Sequence, residues 1–249
     1  MNPIRDALYS LAGFLFIFFT LWSEHVAASI TMTGTRIIYN GSANSVDVHL
    51  KNKDSFPYVV STWFDNGNMA DGPEKSAQLP FIATPPVFRI QPGEGQIIRI
   101  VFTAAQSLPQ DRESLFYFNF MQVPPANVGQ RSPDQGNQNS LLIMLRNRVK
   151  LFYRPAELNG NPQKMLANLQ VTRTGQNGIT IKNNQPYYIT IAGLQLINAS
   201  ETRAQKAGMI APFSSERYVF TDARSAANQR VRITLINDQG ARISEDFPL

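Results

Sequence analysis

The chain has no cysteine, so it contains neither a disulfide staple nor a thiolate to serve as nucleophile or metal ligand. Histidine is almost as scarce, with His25 and His49 the only two. His49 lies in the alternating run Val46-Asp-Val-His-Leu50, where an exposed-face histidine is expected rather than a catalytic one. A Ser-His-Asp or Cys-His device would rest on that one residue, and no G-x-S-x-G elbow is present. Without thiols or a second histidine in the mature chain, metal-ligand spacing fails too. Gly93-Glu-Gly95 lacks the third glycine and the helical continuation of a dinucleotide loop, and reads as a turn after Pro92. The carboxylates are dispersed, and nothing in their spacing points to paired-carboxylate hydrolysis. The expectation is a protein that is not an enzyme and uses no cofactor.

Long apolar runs are absent after the first two dozen residues. Leu11 to Trp22 is almost wholly apolar, follows Arg5, and ends at Ser23-Glu24-His25, too short for the roughly 20 residues of a membrane span. Val26-Ala27-Ala28 supplies the small residues of a cleavage site, so residues 1–28 read as a signal peptide and Ser29 as the mature N-terminus. The mature protein is therefore expected to be exported, soluble and without a stable membrane anchor. It carries 22 basic against 16 acidic side chains, a net +6. The basic residues are scattered without runs of five or more, which disfavours nucleic-acid binding.

What remains is β-rich. Short runs at Ser45 to Leu50, Tyr58 to Phe64, Val87 to Ile90, Gln96 to Phe102 and Leu115 to Val123 alternate with turn signals such as Asn40-Gly41, Asn66-Gly67 and Pro92-Gly93. No long amphipathic helix competes. The pattern predicts a sandwich of about seven strands ending with Leu141 to Arg154. A second set runs through Leu169 to Thr172, Gly178 to Lys182, Tyr188 to Leu196, Arg217 to Phe220 and Val231 to Asn237. The fold class is thus all-β, with domains over residues 29–155 and 156–249. So short a connection should fix the angle between two sandwiches and form a cleft.

The strand Leu141 to Arg154 carries two devices. Leu141, Ile143 and Leu145 share one face, while Lys150 falls on the other, about 23 Å beyond Ile143 at ~3.3 Å per residue. Aliphatic knobs after a polar loop suit an edge strand offered to another protein. On these residues alone, an ordinary sandwich strand with a snorkelling lysine is the better reading.

Seven strings then bear on that choice. They are Thr35-Arg36, Ile82-Ala-Thr-Pro-Pro-Val87, Gln91-Pro-Gly93, Leu108-Pro-Gln-Asp-Arg-Glu-Ser-Leu-Phe-Tyr-Phe-Asn119, Val149-Lys-Leu-Phe-Tyr-Arg-Pro155, Pro186-Tyr-Tyr188 and Ile236-Asn-Asp238. In this order behind an export signal, they resemble the PapD-like periplasmic chaperones of the chaperone-usher pilus pathway. The resemblance implies two immunoglobulin-like domains around a cleft, a periplasmic location, and pilus subunits and an outer-membrane usher as partners. It also allows self-association of the free protein. It implies that Arg36 and Lys150 grip the C-terminal carboxylate of a subunit, where two fixed cations can supply charge-assisted bonds. Leu141, Ile143 and Leu145 would fill a groove in the subunit's incomplete sandwich by donor-strand complementation. Glu113, Arg154 and Asp238 would form a buried charge network between the domains. Thr84-Pro85-Pro86 reads as a rigid turn that can hold a cis bond, and Tyr187 and Tyr188 as core and rim aromatics of the second domain.

One stretch departs from the pattern. Ala126 to Ser140 is a polar loop longer than in short-loop members, whereas long-loop members carry a disulfide that this chain cannot form. It reads as a short-loop type with an enlarged loop. The alternative reading is a secreted two-domain adhesin or structural pilus component. That alternative would require an N-terminal donor extension and an incomplete sandwich, yet the Arg36 strand begins almost at once.

Overall fold

The structure, a computed structural model, describes residues 29–104, 107–125, 143–197, 208–220 and 229–249. The expected signal peptide, the loop Ala126 to Ser140 and Leu141 lie outside the described residues. The first domain contains β1 (Ile30–Met32), β2 (Arg36–Asn40), β3 (Val46–Asn52), β4 (Tyr58–Asp65), the short helix α1 (Pro73–Ser76), β5 (Phe81–Thr84), β6 (Val87–Ile90), β7 (Gly95–Phe102), β8 (Ser114–Val123) and β9 (Leu145–Arg154). One sheet has the order β1-β3-β7-β5 and the other β2-β9-β8-β4-β6. The first two strands thus lie in different sheets, with the chain crossing between them at Gly34 (φ 86°).

Alternation explains the layers. Along β3, Val48, Leu50 and Asn52 turn inward while Asp47, His49 and Lys51 face out, so His49 is on the exposed face as expected. Between the sheets lies an aromatic core, including Tyr39, Phe64, Phe81, Phe116, Phe118 and Tyr153. The ring pairs Tyr39–Phe81, Phe81–Phe116 and Phe64–Phe81 have centroids 5.7, 5.0 and 5.6 Å apart. Such contacts stabilise beyond area burial, and here they tie the two sheets in a domain that has no disulfide.

The second domain contains β10 (Gln170–Thr174), β11 (Gly178–Asn183), β12 (Ile189–Ile197), β13 (Met209–Ile210), β14 (Ser214–Val219), β15 (Arg230–Ile236) and β16 (Arg242–Pro248). Its sheets are β10-β11-β14 and β13-β12-β15-β16. The core is mainly aliphatic, with Ile179, Ile181, Ile233 and Leu235 almost fully enclosed. A buried asparagine repeats in both domains. Asn52 Nδ2 donates to Phe56 O at 2.8 Å and Asn183 Nδ2 to Tyr187 O at 2.7 Å, each satisfying the turn that follows its strand.

The expected elements are present with modest changes at their ends. β1, β5, β13 and β16 were not anticipated as strands. β5 is short and runs into the Thr84–Pro85 cis bond, and β13 spans two residues. The Pro92-Gly93 turn forms with Glu94 N donating to Gln91 O at 3.1 Å and Gly93 at φ 71°. The last strand of the first domain starts at Leu145 rather than Leu141. Its ladder ends at Gln122↔Leu145, because β8 is followed by Pro124-Pro125, which have no N–H to extend it.

Candidate functional site

β9 is covered unequally. On one side β8 pairs with it from Leu145 to Tyr153. On the other, β2 runs parallel and pairs only with Lys150 to Arg154, from Arg36↔Lys150 to Asn40↔Arg154. From Leu145 to Val149 that edge has no strand partner among the described residues. An open edge offers backbone donors and acceptors to another chain.

The alternation expected of this strand holds. Val149, Leu151 and Tyr153 pack with the first core, whereas Arg146, Arg148 and Arg154 take part in polar contacts on the other face. Ile143 and Leu145 continue the core-facing series but extend past the core, and are 62% and 47% exposed. Met144, which the sequence did not single out, is 54% exposed.

Where β2 begins, the structure brings Arg36 and Lys150 together. They are cross-strand partners on one face. Arg36 Nη1 donates to Ile236 O of the second domain at 2.9 Å, its Nε is buried without an acceptor, and its guanidinium lies 5.9 Å from the Phe152 ring centroid. Lys150 has no hydrogen-bond or ion-pair partner among the described residues. Burial lowers its pKa, and the neighbouring Arg36 charge lowers it further. Burial likewise lowers that of Arg36, against the pull of Asp238 and Glu113. Two crowded cations and an unsatisfied buried donor are a set of groups that can accept an anion such as a carboxylate.

Glu113, Arg154 and Asp238 also meet. Arg154 Nε donates to Glu113 Oε1 at 2.9 Å, while Nη1 and Nη2 reach Asp238 Oδ2 and Oδ1 at 2.9 and 3.2 Å. Glu113 Oε2 accepts from Tyr188 N at 2.8 Å, and Glu113 N donates to Pro186 O at 2.9 Å. Burial raises the Glu113 pKa, although Arg154 and the Tyr188 amide favour the ion. Tyr187 is core, as expected, whereas Tyr188 sits at the domain junction with its ring 5.8 Å from that of Phe152. Below Asp238 the turn closes at Gly240 (φ 84°), where a Cβ would come within 2.6 Å of Thr35 Oγ1.

A third cluster was missed from sequence. Asp65, fully enclosed, accepts from Arg148 Nε at 2.8 Å, Asn119 Nδ2 at 2.8 Å and Gly67 N at 2.8 Å. Arg146, two residues earlier, donates to Asn119 Oδ1 at 3.0 Å and stacks 4.8 Å from the Trp63 ring centroid. The period-two series Arg146, Arg148, Lys150 was visible, but the carboxylate partner lies 83 positions away. Among the described residues there is no cluster of three or more His, Asp or Glu that could hold a metal, and no helix long and apolar enough to cross a membrane.

Two immunoglobulin-like sandwiches, the first with an open strand edge beside a pair of cations, define an all-β, two-domain class. Comparison with known proteins gives the family. Residues 29–159 match the pili and flagellar-assembly chaperone PapD N-terminal domain, and residues 164–247 the pili assembly chaperone PapD C-terminal domain. The chain is 38% identical over 226 residues to the probable fimbrial chaperone YadV of Escherichia coli (strain K12), covering 89% of this chain and 90% of that one. It is 35% identical over 217 residues to the chaperone protein PapD of Escherichia coli, covering 86% and 84%. The crystal structure of the YadV chaperone superposes with a TM-score of 0.74 over 89% of this chain and all of that one, at 35% identity. That of the Pseudomonas aeruginosa CupB2 chaperone gives 0.72 over 88% of this chain and 100% of that one, at 31% identity. The chain belongs to the PapD family of pilus-assembly chaperones, a family of chaperones rather than enzymes.

Proposed function

We propose that this protein is a periplasmic chaperone that captures, folds and caps pilus subunits by donor-strand complementation and delivers them to an outer-membrane usher. The observation that carries the reading is the open edge of β9. It begins where the Arg36–Lys150 pair stands and runs back to Leu145, with exposed Ile143 two residues beyond. A subunit's C-terminal carboxylate held by those cations would end a strand that lies in line with β2 and runs parallel to β9. About seven residues at ~3.3 Å each would then reach Ile143. Ile143 and Leu145, with Leu141 beyond them, would fill the groove left by the subunit's missing strand, hiding an open sheet edge and an apolar core.

Arg154, Glu113 and Asp238 act in this reading as the joint that keeps both domains around the captured subunit. Residues 1–28 direct export and are removed. Release by strand exchange at the usher needs no nucleotide.

Affinity isolation from the periplasm tests the proposal. The unmodified protein should co-purify with a small β-rich subunit, and Arg36→Ala and Lys150→Ala should each lose it while remaining folded. Unchanged subunit levels with both variants would show that the anchor assignment is wrong.

A further inference from the structure

The donor half of β9 lacks what secures the rest of the strand. Leu151 and Tyr153 are locked into the aromatic core, and β2 closes the edge beside them. Leu145 to Arg148 pair only with β8, and Leu145 is exposed. One-sided pairing without apolar burial frays readily. A frayed donor strand would have to be ordered during capture, which weakens binding.

The opposite face supplies the missing restraint. Arg148 grips enclosed Asp65 with two guanidinium nitrogens, and Asn119, on the intervening strand β8, donates to the same carboxylate. Burial opposes ionisation of Asp65, but the donors around it outweigh that cost and hold its pKa below the ordinary value. Arg146 extends the contact into the turn after β4, donating to Met69 O at 2.6 Å while stacking on Trp63, whose Nε1 donates to Asp71 O at 3.1 Å. The outer face of the donor half is therefore tied across β8 to the far strand and its turn.

Register is what such a tie can specify. Arg146, Arg148 and Lys150 alternate on one face, so a two-residue slip would keep each side chain on its own face. It would place Arg148 beside Arg36 and displace the knobs by about 6.6 Å. The planar fork of Arg148 matches the Asp65 carboxylate in two bonds, a geometry that a lysine ammonium cannot reproduce.

We propose that Asp65, Arg148 and Arg146 form a register clasp that holds the donor half of β9 at a fixed offset from Arg36 before a subunit arrives. These are positioning residues, and their role rests on the donor-strand reading above.

The test compares Arg148→Gln, Asp65→Asn and Arg148→Lys with the unmodified protein. Amide hydrogen exchange over residues 145–148 reports the clasp, and the dissociation rate of the co-purified chaperone–subunit complex reports capture. Once residues 1–28 are removed, Trp63 is the only tryptophan, so its fluorescence reports the Arg146 stack independently. The proposal expects exchange over 145–148 and complex dissociation each to accelerate roughly tenfold or more in Arg148→Gln, with exchange at Ile98, Ile100 and Leu151 unchanged. Arg148→Lys, which keeps the charge but not the fork, should be intermediate.

Unchanged local exchange, faster local exchange without faster dissociation, or acceleration throughout the first domain would each overturn the clasp. If Arg148→Gln does not fold, Asp65→Asn and Arg148→Lys decide by the same criteria. Normal capture by a locally loosened Arg148→Gln, alongside loss with Lys150→Ala, would remove the clasp and leave the anchor. Failure of the unmodified protein to capture any subunit would instead remove the donor-strand reading, and exchange alone would judge the clasp.

Discussion

The two halves of β9 have the same backbone periodicity and opposite surroundings. From Lys150 to Arg154 the strand lies between β2 and β8 with Leu151 completely buried. From Leu145 to Val149 it has one neighbour, and its apolar series runs out past the core to Ile143. An aliphatic residue therefore has a different physical meaning at the two ends of this segment. From Val149 onward it packs into this chain's own core, whereas Leu145 and, just before the strand, Ile143 stand exposed.

The sharpest way to break that comparison is to place one charge in each half. Leu151→Asp puts a carboxylate in an enclosed apolar site and should abolish folding, seen as loss of soluble protein. Ile143→Asp should leave the melting curve nearly unchanged and abolish subunit capture, because the charge would then enter the subunit's groove. A destabilised Ile143→Asp protein, or a stable one that still captures subunits, would show that the halves do not differ as argued.

Arg154 closes the buried half and links it to the second domain. Arg154→Ala strands Glu113, whose side chain is 2% exposed, beside Asp238. Loss of one partner from such a network costs about 3–5 kcal/mol. Thermal denaturation should show the loss, and limited proteolysis should show faster cleavage at the Arg154 to Pro162 junction. Unaltered melting and cleavage would contradict a joint at this position.

At the boundary itself, Lys150→Ala should weaken subunit binding by roughly 2–5 kcal/mol with little effect on folding. Arg36→Ala should remain folded but also lower the melting temperature, because Arg36 donates to Ile236 O across the junction. A binding titration alongside melting curves separates the two substitutions. Equal stability losses would mean that Lys150 has a structural partner the geometry does not reveal.

Much of this was legible in the sequence, for identifiable reasons. Alternation alone places Ile143 and Lys150 on opposite faces, and the turn residues mark most strands. The meeting of Arg36 with Lys150, and of Arg154 with Glu113 and Asp238, rested on resemblance, since nothing local in Arg36 announces a partner 114 positions away. The Asp65 cluster was out of reach. Asp65 stands at the end of an alternating strand as a surface aspartate would, and only the strand order β9-β8-β4 brings Arg148 over it. Sequence periodicity gives the face of a residue but not the neighbours that long-range strand order supplies.

The smallest effect concerns the charge at the boundary. Burial and then Arg36 lower the Lys150 pKa below its ordinary 10.5, so in the window just beneath that value the unfolded chain binds more protons than the free native protein. This contribution to the free protein's stability should therefore rise with pH through the window. Capture should move the other way. A bound carboxylate favours the charged ammonium and raises its pKa, so binding takes up protons and weakens as pH climbs through the lowered value. Arg36 remains charged there, leaving a residual affinity. Lys150→Arg keeps a cation throughout and should remove the decline, whereas the same decline in Lys150→Arg would assign it to the subunit. Titrating complex formation at several alkaline pH values, with melting of the free protein alongside, measures both signs. A site waiting for an anion requires them to be opposite, whereas a lysine already paired within this chain would lose stability and binding together.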